Sequence, residues 1–299
     1  MNRFELILLL VLTWLPLPAS ALQIFACEPE WASLAAELGG ERVTTYSAVT
    51  GRQDAHVMQA KPSLIARFRK ADLVICTGAS LESGWLPVLF RQGGNPAVQP
   101  GKPGFLEAAS YVPLLDKPVS LDRAQGELHP MGNPHIQLDP RNIGRVATAL
   151  TERLVELDPS GADEYTARGQ DFQTRWVAAT RAWDTRGAPL RGMAVITQHR
   201  GWTYLEDWLG LDEVATLEPK PGIEPSTSHL ASLLSTAKST DVRVIVRSSY
   251  QSPRASEWLS SRTGIPAEVL PNTVGSVDGV DNLFDMFDVI LNRLEAVRQ

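Results

Sequence analysis

Cysteine is nearly absent: Cys27 and Cys76 are the only two in 299 residues, too few for a disulfide-stapled scaffold. Basic residues are in the minority, 28 Lys and Arg against 34 Asp and Glu, and they form no dense block. With a net charge of −6, the chain is a poor partner for nucleic acid or an anionic membrane surface. Long apolar runs are missing beyond the N-terminal segment, since residues 73–76 and 242–246 are strand-length and too short to cross a bilayer. No GxxxxGK[ST], GxGxxG or GxSxG pattern occurs, and no HExxH, so nucleotide-binding, α/β-hydrolase and helix-borne zinc-protease chemistry find no foothold. Histidine is scarce too, five in all, which makes the placing of each one informative.

What is present begins with a basic start (Met1-Asn2-Arg3), a short apolar core from Leu6 to Leu12 and small residues at Ala19-Ser20-Ala21. That is the layout of a cleaved secretory signal over 1–21, with a mature start near Leu22 and a periplasmic product. A lipid anchor on Cys27 would need a small residue where Phe25 stands. About 278 residues then remain, room for two domains. Apolar strand patterns at 22–26, 43–48 and 71–77 alternate with helical patterns at 31–38, 62–70 and 84–91. The second half repeats the alternation, with strands at 193–197, 214–217, 242–247 and 267–270 and helices at 202–209, 226–237, 254–263 and 282–297. Between the halves, after a helix at 142–157, Tyr165, Phe172, Trp176, Ala179 and Trp183 recur at helical spacing and form one apolar stripe. The expected fold class is α/β, with two lobes, each a small parallel sheet flanked by helices, joined by one long linking helix. The corresponding division is an N-terminal lobe over 22–157, the linking helix over 158–186 and a C-terminal lobe over 187–299. Residues 93–126, rich in Gly and Pro, read as a wandering surface segment with short elements only. Cys27 and Cys76 fall near the ends of two strands that neighbour each other in a doubly wound order. Such strands lie about 4.8 Å apart, which allows a disulfide and equally allows two buried thiols.

Three of the five histidines share a setting. His135 lies in Gly132-Asn133-Pro134-His135-Ile136-Gln137-Leu138-Asp139-Pro140, between prolines that forbid mid-helix and mid-sheet backbone. His56 follows Asp54-Ala55 and precedes Lys61-Pro62, and His199 follows the apolar run from Met193 to Thr197. One loop histidine alone is ordinarily a hydrogen-bonding side chain; three at strand-to-loop exits point to a shared metal ion. His129, in Glu127-Leu128-His129-Pro130, is a spare ligand or a loop residue, and His229 reads as solvent-facing on a helix.

Asp54-Ala55-His56, Asn133-Pro134-His135 with Leu138-Asp139-Pro140, and Thr197-Gln198-His199 with Tyr204-Leu205 resemble, in order, the three ligand segments of the periplasmic zinc/manganese-binding proteins that feed ABC transporters. The resemblance covers nearly the whole mature chain. Ala55 replaces that family's usual proline, and its fourth ligand, an acid, falls near Asn272; Asp278 is the nearest acid downstream. The resemblance implies an exported solute-binding protein, likewise a monomer, that captures Zn²⁺ between its lobes and hands it to a membrane permease or a periplasmic metallochaperone. The expected metal ligands are His56, His135, His199 and Asp278, with Glu28, His129 or water as alternatives in the fourth place. Three imidazoles suit zinc, whereas Mn²⁺ prefers more carboxylate and water. A manganese protein of the same type is the nearest alternative, and a three-histidine zinc hydrolase the more distant one. That enzyme would need an acid–base partner the sequence does not offer. The long His/Asp-rich insertion of many zinc members is absent.

Overall fold

The computed structural model describes residues 21–118 and 129–298, so the expected export signal lies outside the described residues except for Ala21. The chain opens with β1 (Leu22–Ala26), α1 (Pro29–Gly39), β2 (Val43–Ser47), α2 (Pro62–Arg69), β3 (Leu73–Cys76), α3 (Leu86–Gly93) and β4 (Phe105–Glu107). All three of these helices carry a proline in the first turn, where its missing N–H costs nothing. The strands pair in parallel in the order β2-β1-β3-β4. Every residue of β3 is buried, as both faces of the sheet are covered, and this explains its unbroken apolar run.

After α4 (Pro140–Leu157) and α5 (Ala162–Gly187) the plan repeats: β5 (Ala194–Thr197), α6 (Thr203–Leu209), β6 (Asp212–Thr216), α7 (Thr227–Ser239), β7 (Val242–Arg247), α8 (Arg254–Thr263), β8 (Ala267–Val269) and α9 (Leu283–Val297). Its parallel order, β6-β5-β7-β8, is the same as in the first sheet. The two-lobed α/β architecture with a long helix between the lobes is the one the sequence led us to expect. One element departs from that reading. β4 lies inside the segment read as wandering surface, and it is the edge strand of the first sheet; three residues after Gly104 are too few to carry a periodicity.

Helix α5 runs 26 residues and buries Tyr165, Phe172, Trp176 and Trp183 along one face. Trp176 and Trp183 pack edge to face at 5.2 Å and both meet Phe287 of α9. Their indoles are satisfied, Trp176 donating to the Pro140 carbonyl at 2.7 Å and Trp183 to Asp288 at 2.8 Å. The buried cluster around them is continuous from Ile24, Leu34 and Ile75 of the first lobe to Val195, Val244 and Leu270 of the second. The lobes therefore share one core. Cys27 and Cys76 form a disulfide with Cα atoms 4.7 Å apart, which decides the question the sequence left open. His229 is half-buried, its Nε2 bonded at 3.0 Å to the Thr216 carbonyl, so it locks α7 to the end of β6 where a solvent-facing ring was expected.

Candidate metal centre

The connections that leave β2, β4 and β5 each deliver one imidazole to the boundary between the lobes. His56 is held by Asp54, two residues earlier, whose Oδ1 accepts both the His56 backbone N–H at 2.9 Å and ring Nδ1 at 2.7 Å. Trp85 Nε1 ties the same loop down through the Ala55 carbonyl. His135 sits just before a 3₁₀ turn (Ile136–Leu138) that leads into α4, and its backbone N–H is accepted by Asn133 Oδ1 at 3.0 Å. Asn133 is in turn bolted to the other lobe: its Nδ2 donates to the Arg200 carbonyl, and the Tyr204 hydroxyl donates to its own carbonyl at 2.8 Å. His199 extends from β5 and bonds through Nδ1 to Glu218 Oε2 at 2.8 Å, an oxygen that also accepts the Gly222 N–H.

These contacts bring the three rings together. Their centroids lie 5.4 Å (His56–His135), 6.0 Å (His56–His199) and 5.9 Å (His135–His199) apart, and one donor atom from each lies within 4.8 Å of the others. A point equidistant from three such atoms is within about 2.8 Å of each, so drawing in by less than ~1 Å reaches the 2.0–2.1 Å of a Zn–N bond. Gly201 makes room for this approach, because a Cβ there would press at 3.3 Å on both His135 and His199.

The electrostatics favour a cation. Burial, then the neighbouring His56, His199 and His129, hold the His135 imidazole well below its usual range, so it is neutral and its lone pair available. Its Nε2 is buried with no hydrogen-bond partner among the described residues. Burial would raise Asp54, yet its hydrogen bond to His56 and the charge of that ring turn the balance, and it is held low and anionic. The carboxylates of Asp54 and Glu218 thus hold the outer nitrogens of two histidines, an arrangement that fixes the orientation of both rings. A cavity of about 210 Å³ lies against His56 and His199 and carries Glu224 as well.

Asp278 is elsewhere. Its side chain is 97% exposed and pairs with Arg52, in a loop where Gly275 and Gly279 both adopt positive φ. The structure does not bring it to the three histidines, and Asn272 instead lines the cavities beside them. Glu28 lines the same inner cavity as His56 and His135. It is buried with Glu82 and Glu30: burial, and then those two carboxyls, raise Glu28 well above the usual range, and burial raises Glu30 and Glu82 to about 7. His129 stands beside the trio, its ring 5.2 Å from that of His56. The residues that sequence reasoning gave no role are Asp54, Glu218 and Gly201. Asp54 was visible as a carboxylate two places from a histidine; nothing in the sequence links Glu218 to His199.

The family model for ZnuA, described as zinc-uptake complex component A periplasmic, matches residues 24–297. The chain is 24% identical over 251 residues to the high-affinity zinc uptake system protein ZnuA of Bacillus subtilis (strain 168), an alignment spanning 82% of this chain and 76% of that protein. It is 22% identical over 258 residues to the manganese-binding lipoprotein MntA of Halalkalibacterium halodurans, covering 83% and 79% of the two. A crystal structure of ZnuA superimposes with a TM-score of 0.79 over 94% of this chain and 100% of its own, at 23% identity, which is a likeness of fold.

Proposed function

Because this chain belongs to the family of ZnuA, the periplasmic component of zinc-uptake complexes, we propose that it captures Zn²⁺ between its lobes through His56, His135 and His199 and releases it to the permease of an ABC transporter. It is a metal-binding solute-binding protein and not an enzyme. The observation that carries the choice of ligands is the convergence of three imidazole nitrogens within 4.8 Å of one another. The metal is cargo, so the site must hold it and let it go, and ligands arriving from separate loops of two lobes suit that task.

Zinc is favoured over manganese by the donor set. Zn²⁺ is well served by nitrogen in a four-coordinate shell, whereas Mn²⁺ suits oxygen donors. The two carboxylates nearest the histidines, Asp54 and Glu218, are engaged with the outer ring nitrogens. Asn272 offers only a neutral amide. The test is metal analysis of the full chain purified from its own exported compartment without added metal or chelator. About one zinc per chain, lost when any of His56, His135 or His199 becomes Ala, is the expected result. Stoichiometric manganese, or zinc retained by all three variants, would overturn it.

A further inference from the structure

We propose that His129 supplies the fourth ligand to the cargo ion, through Nδ1, and so completes an all-imidazole shell; this rests on the three-histidine site proposed above. Two histidines of that site share a device, one ring nitrogen anchored by an acceptor and the other turned inward. His129 shares the second half of it: its Nδ1 is buried with no hydrogen-bond partner among the described residues, which leaves that nitrogen available to a metal. The ring stands near the Ala79 backbone, and Ala79 is firmly set: it is 2% exposed, its own N–H is accepted by Glu107 Oε1 at 3.2 Å, and it adopts φ 50° between Gly78 and Ser80, which also have positive φ. A left-handed alanine is costly and persists only where its surroundings dictate it.

The position fits as well. Ring centroids of His129 and His56 are 5.2 Å apart, closer than any pair within the trio. A turn closed by the Gly132 N–H on the His129 carbonyl at 3.0 Å joins this residue to the segment that carries His135. His129 lies outside the group whose donor atoms are mutually within 4.8 Å. The ring therefore advances on loading, as the ion draws the donors towards the ~3.3 Å separation of a tetrahedral shell with ~2.0 Å bonds.

The competitors are weaker. Asp278 is exposed at the rim. Glu28 accepts the N–H and hydroxyl of Thr77 and lies against Glu82, so its charge is opposed before any ion arrives. Asn272 is a neutral oxygen donor, a poor match for borderline-soft zinc.

The test is a ¹⁵N-histidine-labelled full chain, observed by long-range ¹H–¹⁵N correlation before and after one equivalent of ZnCl₂. The His129 Nδ1 resonance should move with the inner nitrogens of His56, His135 and His199, while His229, bonded to Thr216, stays put as an internal control. If the trio moves and His129 Nδ1 does not, the fourth-ligand proposal fails and the three-histidine site stands. If none of the four moves, the reading beneath it fails too. In parallel, His129→Ala should keep the apo melting temperature and weaken zinc binding by about tenfold or more, at least the loss that removing an outer partner brings. Unchanged affinity would overturn the proposal independently.

Discussion

A histidine presents a defined nitrogen to a metal only when its other nitrogen is held, and Asp54 and Glu218 meet that condition for His56 and His199. Asp54→Ala and Glu218→Ala should each lower zinc affinity about 10–100-fold while the apo protein melts as before. Titration against a chromophoric zinc chelator reads this directly, and wild-type affinity in both would show that the carboxylates hold loops and nothing more. The three histidines were legible in the sequence because prolines and strand ends fix their backbone. Glu218 was not, because β6 is brought beside β5 by the sheet order and not by sequence spacing. Asp278 was named as the nearest acid downstream of Asn272, and distance along the chain does not tell which way a side chain faces; in the packed structure it pairs with Arg52 at the surface. A separate residue-scale effect concerns the buried carboxyls. Glu82 and Glu30 are raised from 4.5 to about 7 chiefly by burial, so the folded state binds their protons more tightly than the unfolded state. The stability they contribute is full below about pH 4.5 and is lost as pH rises towards about 7. Glu82→Gln removes one such group and a neighbour that raises Glu28. Its apo melting temperature should therefore gain on the wild type between pH 5 and about 7.5. Parallel melting curves across that range would sink the argument.

At the scale of elements, β1 and β3 are joined twice, by parallel pairing and by the disulfide from Cys27 to Cys76 across 49 residues. Closing a loop of that length removes unfolded-state entropy worth about 4 kcal/mol. The double variant Cys27→Ala/Cys76→Ala should lose on the order of 10 °C in melting temperature, at a few degrees per kcal/mol. Thermal circular dichroism checks it, and an unchanged midpoint would assign the bridge no role in stability. Most elements were legible because the strands are continuous apolar runs and the helices carry stripes: the α5 pattern placed Tyr165, Phe172, Trp176 and Trp183 on the face that is in fact buried. β4 was not legible, since its three residues belong to the sheet only through the pairing of Val74 with Phe105 and Cys76 with Glu107. Trp176 is 2% exposed and hydrogen-bonded to Pro140, so truncating it removes both a large buried side chain and a buried hydrogen bond. Trp176→Ala should cost about 3–5 kcal/mol.

For the whole molecule the question is whether the lobes can swing apart to release the ion. Surface ion pairs that cross between them, such as Arg141 with Asp207 and Arg52 with Asp278, are exposed and contribute little. The restraint comes from elsewhere. The core runs unbroken from one lobe to the other beneath α5, and opening it would expose apolar surface at about 25 cal/mol per Å². Buried and half-buried hydrogen bonds also cross, with Thr273 donating to Glu30, Gln137 to the Asn272 carbonyl and Tyr204 to that of Asn133. At the rim, Gly51 lies so close to the backbone of Gly275 and Ser276 that a Cβ would approach to 2.5 Å. Such an assembly resists hinge motion, so for the proposed function release is expected from the loops that carry His56, His135 and His199 and from small lobe shifts. Spin labels on exposed positions of α3 and α7, such as Arg91→Cys and Lys238→Cys, report the distance between lobes. Apo and zinc-loaded protein should differ by a few ångströms at most, and a change beyond about 10 Å would mean a wide hinge closure that α5 and the shared core ought to prevent. The same labels test Gly51 from the opposite side. Gly51→Val should drive the 274–276 backbone away from the first lobe, widen the apo distance, and weaken zinc binding without touching any proposed ligand.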